Sequence, residues 1–216
     1  MRDLFEGHFA AEPAAEGMGE GAVLLRGLAR DCAADLLGAL HDILEVSPFR
    51  HMVTPGGYSM SVALTNCGAA GWITDRSGYR YGATDPLTGS SWPAMPDCFL
   101  ALAATAAEAA GYVGFRPDAC LINRYVPGAR LSLHQDRNER DFAHPIVSVS
   151  LGLPATFLFG GLKRSDPVRR FLLGHGDVAV WGGPSRLRFH GVADLKDGDH
   201  DVLGRQRINL TFRRAL

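Results

Sequence analysis

His134 and Asp136 stand two residues apart in the segment LSLHQD. On an extended strand, residues two apart project to one face, so an imidazole and a carboxylate leave the backbone together. A second histidine, His190, lies near the end of RLRFHGV. Two imidazoles and one carboxylate on one face of a metal ion leave three coordination positions open. That is the donor set of non-haem iron(II) oxygen chemistry, and a closed structural zinc site does not provide it. An isolated His-x-Asp pair is equally compatible with a solvated or locally hydrogen-bonded pair, and His190 alone carries no more weight.

The segment from Arg207 to Arg213, RINLTFR, places polar residues at every odd position and apolar ones at every even position. As a strand it shows Arg207, Asn209, Thr211 and Arg213 on one face and Ile208, Leu210 and Phe212 on the other. With the polar face outward, this is an ordinary amphipathic strand. With that face inside a small barrel, two arginines in line can clamp a dicarboxylate, because guanidinium forks match carboxylates through paired hydrogen bonds. Asn123 and Tyr125, two apart in LINRY, can add hydrogen bonds to the same anion.

These residues need strands to aim them, and the second half of the chain supplies them. From Ala119 onward short apolar segments alternate with turn residues such as Pro127-Gly128, Gly160-Gly161 and Gly182-Gly183-Pro184. The spacing predicts an all-β sandwich or barrel over roughly the last hundred residues. RLRFHGV is read as one of its strands. In the first half a short strand at Ala22 to Leu25 precedes a helix starting at Asp31, where apolar residues recur at helical spacing up to Pro48. An Ala-rich second helix is bracketed by Pro96 and Gly111. Between them, Met52 to Trp92 is rich in Gly, Ser, Thr and aromatics, which suits short strands and turns. The first 20 residues carry no apolar periodicity and are expected to be flexible.

The 216 residues are 46% hydrophobic and 21% charged, the balance of an ordinary globular chain. No stretch is apolar enough to span a bilayer, and the start lacks the apolar core of a secretory signal. Cys32, Cys67, Cys98 and Cys120 show no metal or redox spacing, so free thiols and a cytoplasmic location are expected. A net charge of −1 excludes a global basic footprint, so any nucleic-acid contact must use a local basic surface.

Taken together, LINRYVPGARLSLHQD, PIVSVSLGLPATFLFGGLKRSDP, GDVAVWGGPSRLRFHGV and RINLTFR resemble the AlkB family of Fe(II)- and 2-oxoglutarate-dependent dioxygenases. MVTPGGYSMSVALTNCG and WPAMPDCF extend the likeness into the first half, so that it covers roughly residues 45 to 213. The resemblance implies a mainly β protein: a double-stranded β-helix (jelly-roll) core over 116–216, helices and a nucleotide-recognition lid over 21–115, and a flexible terminus over 1–20. It also implies that His134, Asp136 and His190 hold catalytic Fe(II). Asn123, Tyr125, Arg207, Asn209 and Arg213 would position 2-oxoglutarate, with O2 as the second co-substrate. Trp72 and Tyr79 would enclose an extruded base, with the ring of His134 on its other side. Without the resemblance, Trp72 reads as a buried core residue. Thr54, Tyr58, Ser59, Arg130, Arg137, Lys163, Arg164 and Arg76 would meet phosphates. Asn138 stands where the family prototype has an aspartate, which leaves base preference open.

The implied reaction is oxidative removal of alkyl groups from bases such as 1-methyladenine and 3-methylcytosine in single-stranded DNA, releasing formaldehyde. The same chemistry on methylated RNA or a small molecule, and a non-catalytic nucleic-acid binding module, are the alternatives. A monomer with no membrane partner is expected.

Overall fold

The computed structural model describes residues 14–216. Two strands, β1 (Ala15–Gly19) and β2 (Ala22–Leu25), lead into helix α1 (Ala33–Val46). Strands β3 (Ala63–Gly68), β4 (Gly71–Asp75) and β5 (Gly78–Gly82) and helix α2 (Asp97–Ala109) complete the first half. The second half is almost entirely strand: β6 (Ala119–Tyr125), β7 (Leu131–His134), β8 (Ile146–Gly152), β9 (Ala155–Phe159), β10 (Arg169–Leu173), β11 (Val178–Trp181), β12 (His190–Val192) and β13 (Arg207–Arg213).

A seven-stranded sheet runs in the order β1-β2-β11-β8-β13-β6-β3, and a four-stranded sheet runs β10-β9-β12-β7. The pairings within both are antiparallel, which gives the double-sheet jelly roll expected of the chain. The hairpin β4-β5 stands apart as a two-stranded sheet. The larger sheet takes β1, β2 and β3 from the first half, a pairing that local periodicity cannot reveal. Part of the terminus expected to be flexible is likewise structured: Ala15–Gly19 is the sheet's edge strand, paired with β2. Residues 1–13 lie outside the described residues.

Two apolar layers hold these sheets. On the outer face of the larger sheet, Leu36, Leu40 and Ile43 of α1 and Phe99, Ala103 and Ala107 of α2 share one cluster with Ile122, Val149, Leu210 and Phe212. Phe99 meets Phe212 edge to face at 5.8 Å. Each such ring contributes about 2–3 kcal/mol when fully removed from water. The alanines of α2 let its backbone sit close to the sheet. Both helices fall near their expected positions, with α1 starting two residues after Asp31 and α2 ending before Gly111, whose φ of 86° suits glycine just past a helix. Between the sheets, Tyr125, Phe157, Phe159, Trp181 and Val192 form the second layer.

The packing of β13 answers the question left by its alternation. All seven residues are buried, with Ile208, Leu210 and Phe212 against the helices. Arg207, Asn209, Thr211 and Arg213 therefore point between the sheets, not into solvent. RLRFHGV departs from its expected strand. Gly183–Ser185 is a turn of 3-10 helix and the strand begins only at His190. There β12 runs so close to β7 that a Cβ on Gly191 would lie 2.6 Å from the Leu131 carbonyl oxygen. The missing side chain lets His190 come directly opposite His134 in the ladder.

One buried ion pair fastens the segment after the β4-β5 hairpin to the end of α1. Asp85 accepts bonds from Arg50 Nη1 and Nη2 at 2.8 Å each, from Ser47 Oγ at 2.6 Å and from the Leu87 amide at 2.8 Å. With the Asp85 side chain 1% exposed and that of Arg50 12%, removing the carboxylate strands a cation. Asp85→Ala is expected to cost about 3–5 kcal/mol, read as a lower denaturant midpoint at unchanged slope.

Candidate active site

A cavity of about 930 Å³ opens between the sheets, and the β4-β5 hairpin stands at its mouth. At its floor, β7 and β12 pair antiparallel with His190 opposite His134, and the register shifts before Val192 meets Leu131. Asp136 lies just beyond the end of β7, so the extended chain still carries it to the same side. His134 Nε2 is 3.6 Å from Asp136 Oδ1, and His190 Nε2 is 3.6 Å from Asp136 Oδ2. The three donors lie within 4.8 Å of one another.

Two backbone carbonyls orient the imidazoles. His134 Nδ1 donates to the Ser132 carbonyl at 2.9 Å, and His190 Nδ1 donates to the Arg188 carbonyl at 3.0 Å. With the proton on Nδ1, each Nε2 keeps its lone pair for a metal. Burial, followed by the neighbouring His190, pushes His134 down to about 4, so it meets a metal without a proton to displace. Burial alone would raise Asp136, but the guanidinium of Arg213 holds it well below the usual carboxylate range. Arg213 delivers this through Nε at 2.9 Å and Nη2 at 2.6 Å, both to Asp136 Oδ2.

Higher in the cavity, β6 and β13 pair Tyr125 with Arg207 and Asn123 with Asn209. Arg207 is 1% exposed and stacks over the Tyr125 ring at 4.9 Å. Its Nη2 donates to Ser150 Oγ at 2.9 Å, whereas Nε and Nη1 have no hydrogen-bond partner among the described residues. A buried guanidinium with open donors is costly unless an anion completes it. Asn209 is more fully engaged. Its amide donates to Ser148 Oγ at 2.8 Å and the Val149 carbonyl at 2.9 Å, and accepts from Thr211 at 3.0 Å. Arg207 and Arg213 thus have different surroundings: the first has donors to spare, and the second is already bound to Asp136.

Above the triad, the rings of Trp72 on β4 and Tyr79 on β5 stack at 5.6 Å and 21°. Trp72 lies half-buried at the cavity wall, although it also packs on the small cluster under the hairpin. Asn138 ties the pair together: it accepts from Trp72 Nε1 at 3.2 Å and donates to the Tyr79 carbonyl at 3.4 Å. Thr54, Tyr58, Ser59, Arg130, Arg137 and Arg164 line the rim. Tyr58 is 78% exposed, Arg130 leans toward Asp194 at 3.6 Å, and Arg164 covers Phe189 at 5.1 Å. Lys163 and Arg76 do not line the cavity.

Three groups escaped sequence reasoning. Tyr81, Glu139 and Arg186 are packed behind the triad. Glu139 in a loop reads as solvated, and nothing in the local pattern around Arg186 or Tyr81 marks either as buried with it.

Residues 21–213 match the 2OG-Fe(II) oxygenase superfamily. The chain belongs to that superfamily. Within it the chain is 59% identical to the Escherichia coli "Alpha-ketoglutarate-dependent dioxygenase AlkB" over 215 residues, 100% of this chain and 98% of that one, which places it in the AlkB family. It is 33% identical to the Arabidopsis thaliana "DNA N(6)-methyladenine demethylase ALKBH1C" over 174 residues, 68% of this chain and 38% of that one. Among solved structures, OsALKBH1 matches with a TM-score of 0.82 at 29% identity, covering 93% of this chain and all of that one. The protein is therefore an Fe(II)- and 2-oxoglutarate-dependent dioxygenase. The cavity of this oxygenase fits both groups: two imidazoles and a carboxylate suit Fe(II), and the open donors of Arg207 suit a carboxylate.

Proposed function

We propose that the protein removes alkyl groups oxidatively from N-alkylated bases such as 1-methyladenine and 3-methylcytosine in single-stranded DNA, restoring the base and releasing formaldehyde. The observation that carries this reading is the stacked pair Trp72 and Tyr79, poised over a cavity with His134 below. An aromatic platform above and an imidazole below make a slot for a planar base, and stacking offsets the few kcal/mol lost when a base leaves its strand. The relatives' printed names, an AlkB dioxygenase and a DNA demethylase, support the same substrate class.

Each group has a distinct task in this reading. His134, Asp136 and His190 hold Fe(II). Arg207 would take a carboxylate of 2-oxoglutarate on its open donors, beside Asn123, Tyr125 and Asn209. Arg213 fixes Asp136 and lines the same cavity. When bound, iron and 2-oxoglutarate supply a two-electron oxidation with O2, leaving succinate and CO2. Thr54, Tyr58, Arg130, Arg137 and Arg164 at the rim meet phosphates, a local basic surface on a chain of near-zero net charge. Asn138 offers the base an amide that carries no charge. Among the described residues no helix is long and apolar enough to cross a membrane.

The deciding experiment incubates the protein with Fe(II), ascorbate, 2-oxoglutarate and a short single-stranded oligonucleotide carrying one 1-methyladenine. Loss of the methyl group by mass spectrometry, dependent on 2-oxoglutarate and blocked by a chelator, is expected. An unchanged oligonucleotide beside accumulating succinate means that the substrate lies elsewhere. Trp72→Ala is expected to slow base processing by about 10–100-fold, the value of one base–aromatic stack, while 2-oxoglutarate turnover without nucleic acid persists. Equal losses in both would remove Trp72 from the base slot.

A further inference from the structure

Behind the triad lies a closed set of four buried charges. The side chains of Glu139, Arg186 and Arg213 are 1%, 3% and 6% exposed, and that of Asp136 is 10% exposed. Arg213 grips the Asp136 carboxylate, and Arg186 Nη1 donates to the Asp136 backbone carbonyl at 3.1 Å. Each arginine also meets Glu139: Arg213 Nε, the same atom that donates to Asp136, is 3.3 Å from Oε1, and Arg186 Nη2 is 3.3 Å from Oε2. Two cations thus hold the proposed metal ligand at its side chain and at its backbone, and one carboxylate sits between them. Two negative and two positive charges balance, the condition under which buried ions persist.

The same carboxylate has one further partner. Tyr81 on β5 donates its hydroxyl to Glu139 Oε1 at 2.9 Å. In the hairpin register, Tyr81 stands directly opposite Trp72. Burial pushes the Tyr81 phenol well above its ordinary range, so it remains a donor. A bond that reaches the lid from inside the core explains why a carboxylate is kept here, where an apolar side chain would avoid the cost of burying it.

We infer that Glu139 is a positioning residue: it orients Asp136 through Arg213 and Arg186, and through Tyr81 it ties that orientation to the lid hairpin. Its lid arm rests on the proposed function, because it requires the hairpin to respond to a base. Its iron arm does not. Iron held by Asp136 is then sensitive to the hairpin's position, and oxidation of 2-oxoglutarate is kept in step with occupancy of the base slot.

Tyr81→Phe and Glu139→Gln, made in the full chain, separate the two arms. Without nucleic acid, Glu139→Gln is expected to weaken Fe(II) binding about tenfold and to shift the visible absorption of the anaerobic protein loaded with Fe(II) and 2-oxoglutarate. Tyr81→Phe is expected to leave both unchanged. With an alkylated oligonucleotide, Tyr81→Phe is expected to raise the succinate formed per base restored about tenfold, and adding Glu139→Gln should not add to that increase. A merely structural Glu139 would lower the melting temperature while leaving the absorption and the succinate ratio of the folded protein untouched, and that result overturns the inference. Should Glu139→Gln not fold, Glu139→Asp keeps the charge balance but withdraws the carboxylate by one methylene, and the same spectral shift is expected. An unchanged succinate ratio in Tyr81→Phe overturns the lid arm. A wild-type protein that restores no alkylated base overturns the substrate reading and the lid arm with it, and the absorption still decides the iron arm.

Discussion

Replacing Asp136 with asparagine is expected to remove Fe(II) binding and 2-oxoglutarate turnover together. The substitution keeps the shape of the side chain and takes away its charge, so the cavity retains two imidazoles and an amide, a poor set for a divalent hard cation. Asp136 is also the acceptor for both Arg213 bonds, at 2.9 and 2.6 Å. The neutral side chain leaves that buried cation facing Glu139 alone, and some loss of stability accompanies the loss of iron. The measurement therefore pairs iron binding with circular dichroism, so that an unfolded variant is not mistaken for a metal-free one. His134→Ala is expected to lose turnover too, and without disturbing Arg213. If either variant keeps full Fe(II)-dependent turnover while folded, the triad assignment is wrong.

Arg207→Lys is expected to raise the KM for 2-oxoglutarate about a hundredfold with a much smaller change in kcat. Lysine keeps the positive charge but presents a point donor where arginine presents a planar fork. The fork already uses Nη2 on Ser150, and its open Nε and Nη1 are the donors assigned to the co-substrate. Charge-assisted hydrogen bonds contribute about 1.5–3 kcal/mol each, so losing the fixed directions of these donors costs about 3 kcal/mol, which is about a hundredfold in affinity. The loss falls on KM because the carboxylate on Arg207 is held alike before and during oxidation. Initial rates against 2-oxoglutarate concentration decide it. An unchanged KM would mean that the orphaned donors of Arg207 serve something other than the co-substrate.

The two assignments were legible to different depths. The alternation of RINLTFR named Arg207 and Arg213 as neighbours on one face, and the two-residue spacing in LSLHQD set His134 beside Asp136. Both patterns are local, and local backbone geometry dictates them. Which face turns inward is not local. It depends on α1 and α2 covering the apolar side of β13, contacts between segments that lie far apart in the chain. The family likeness anticipated the answer because motifs carry the outcome of such packing, while the residues by themselves left it open.

What the sequence determined on its own, then, is the β-rich class, the two helices, the ligand triad and the polar stripe, all written in periods of two or 3.6 residues and in specific motifs. Tertiary structure alone decided the rest. It placed β1, β2 and β3 in the larger sheet, shortened RLRFHGV to a strand starting at His190, bound Arg213 to Asp136 while leaving Arg207 with free donors, and buried Glu139, Arg186 and Tyr81 together. The physical reason is common to all of these. A buried charge is tolerated only where partners from distant segments converge on it, and no single segment records where its partners will come from.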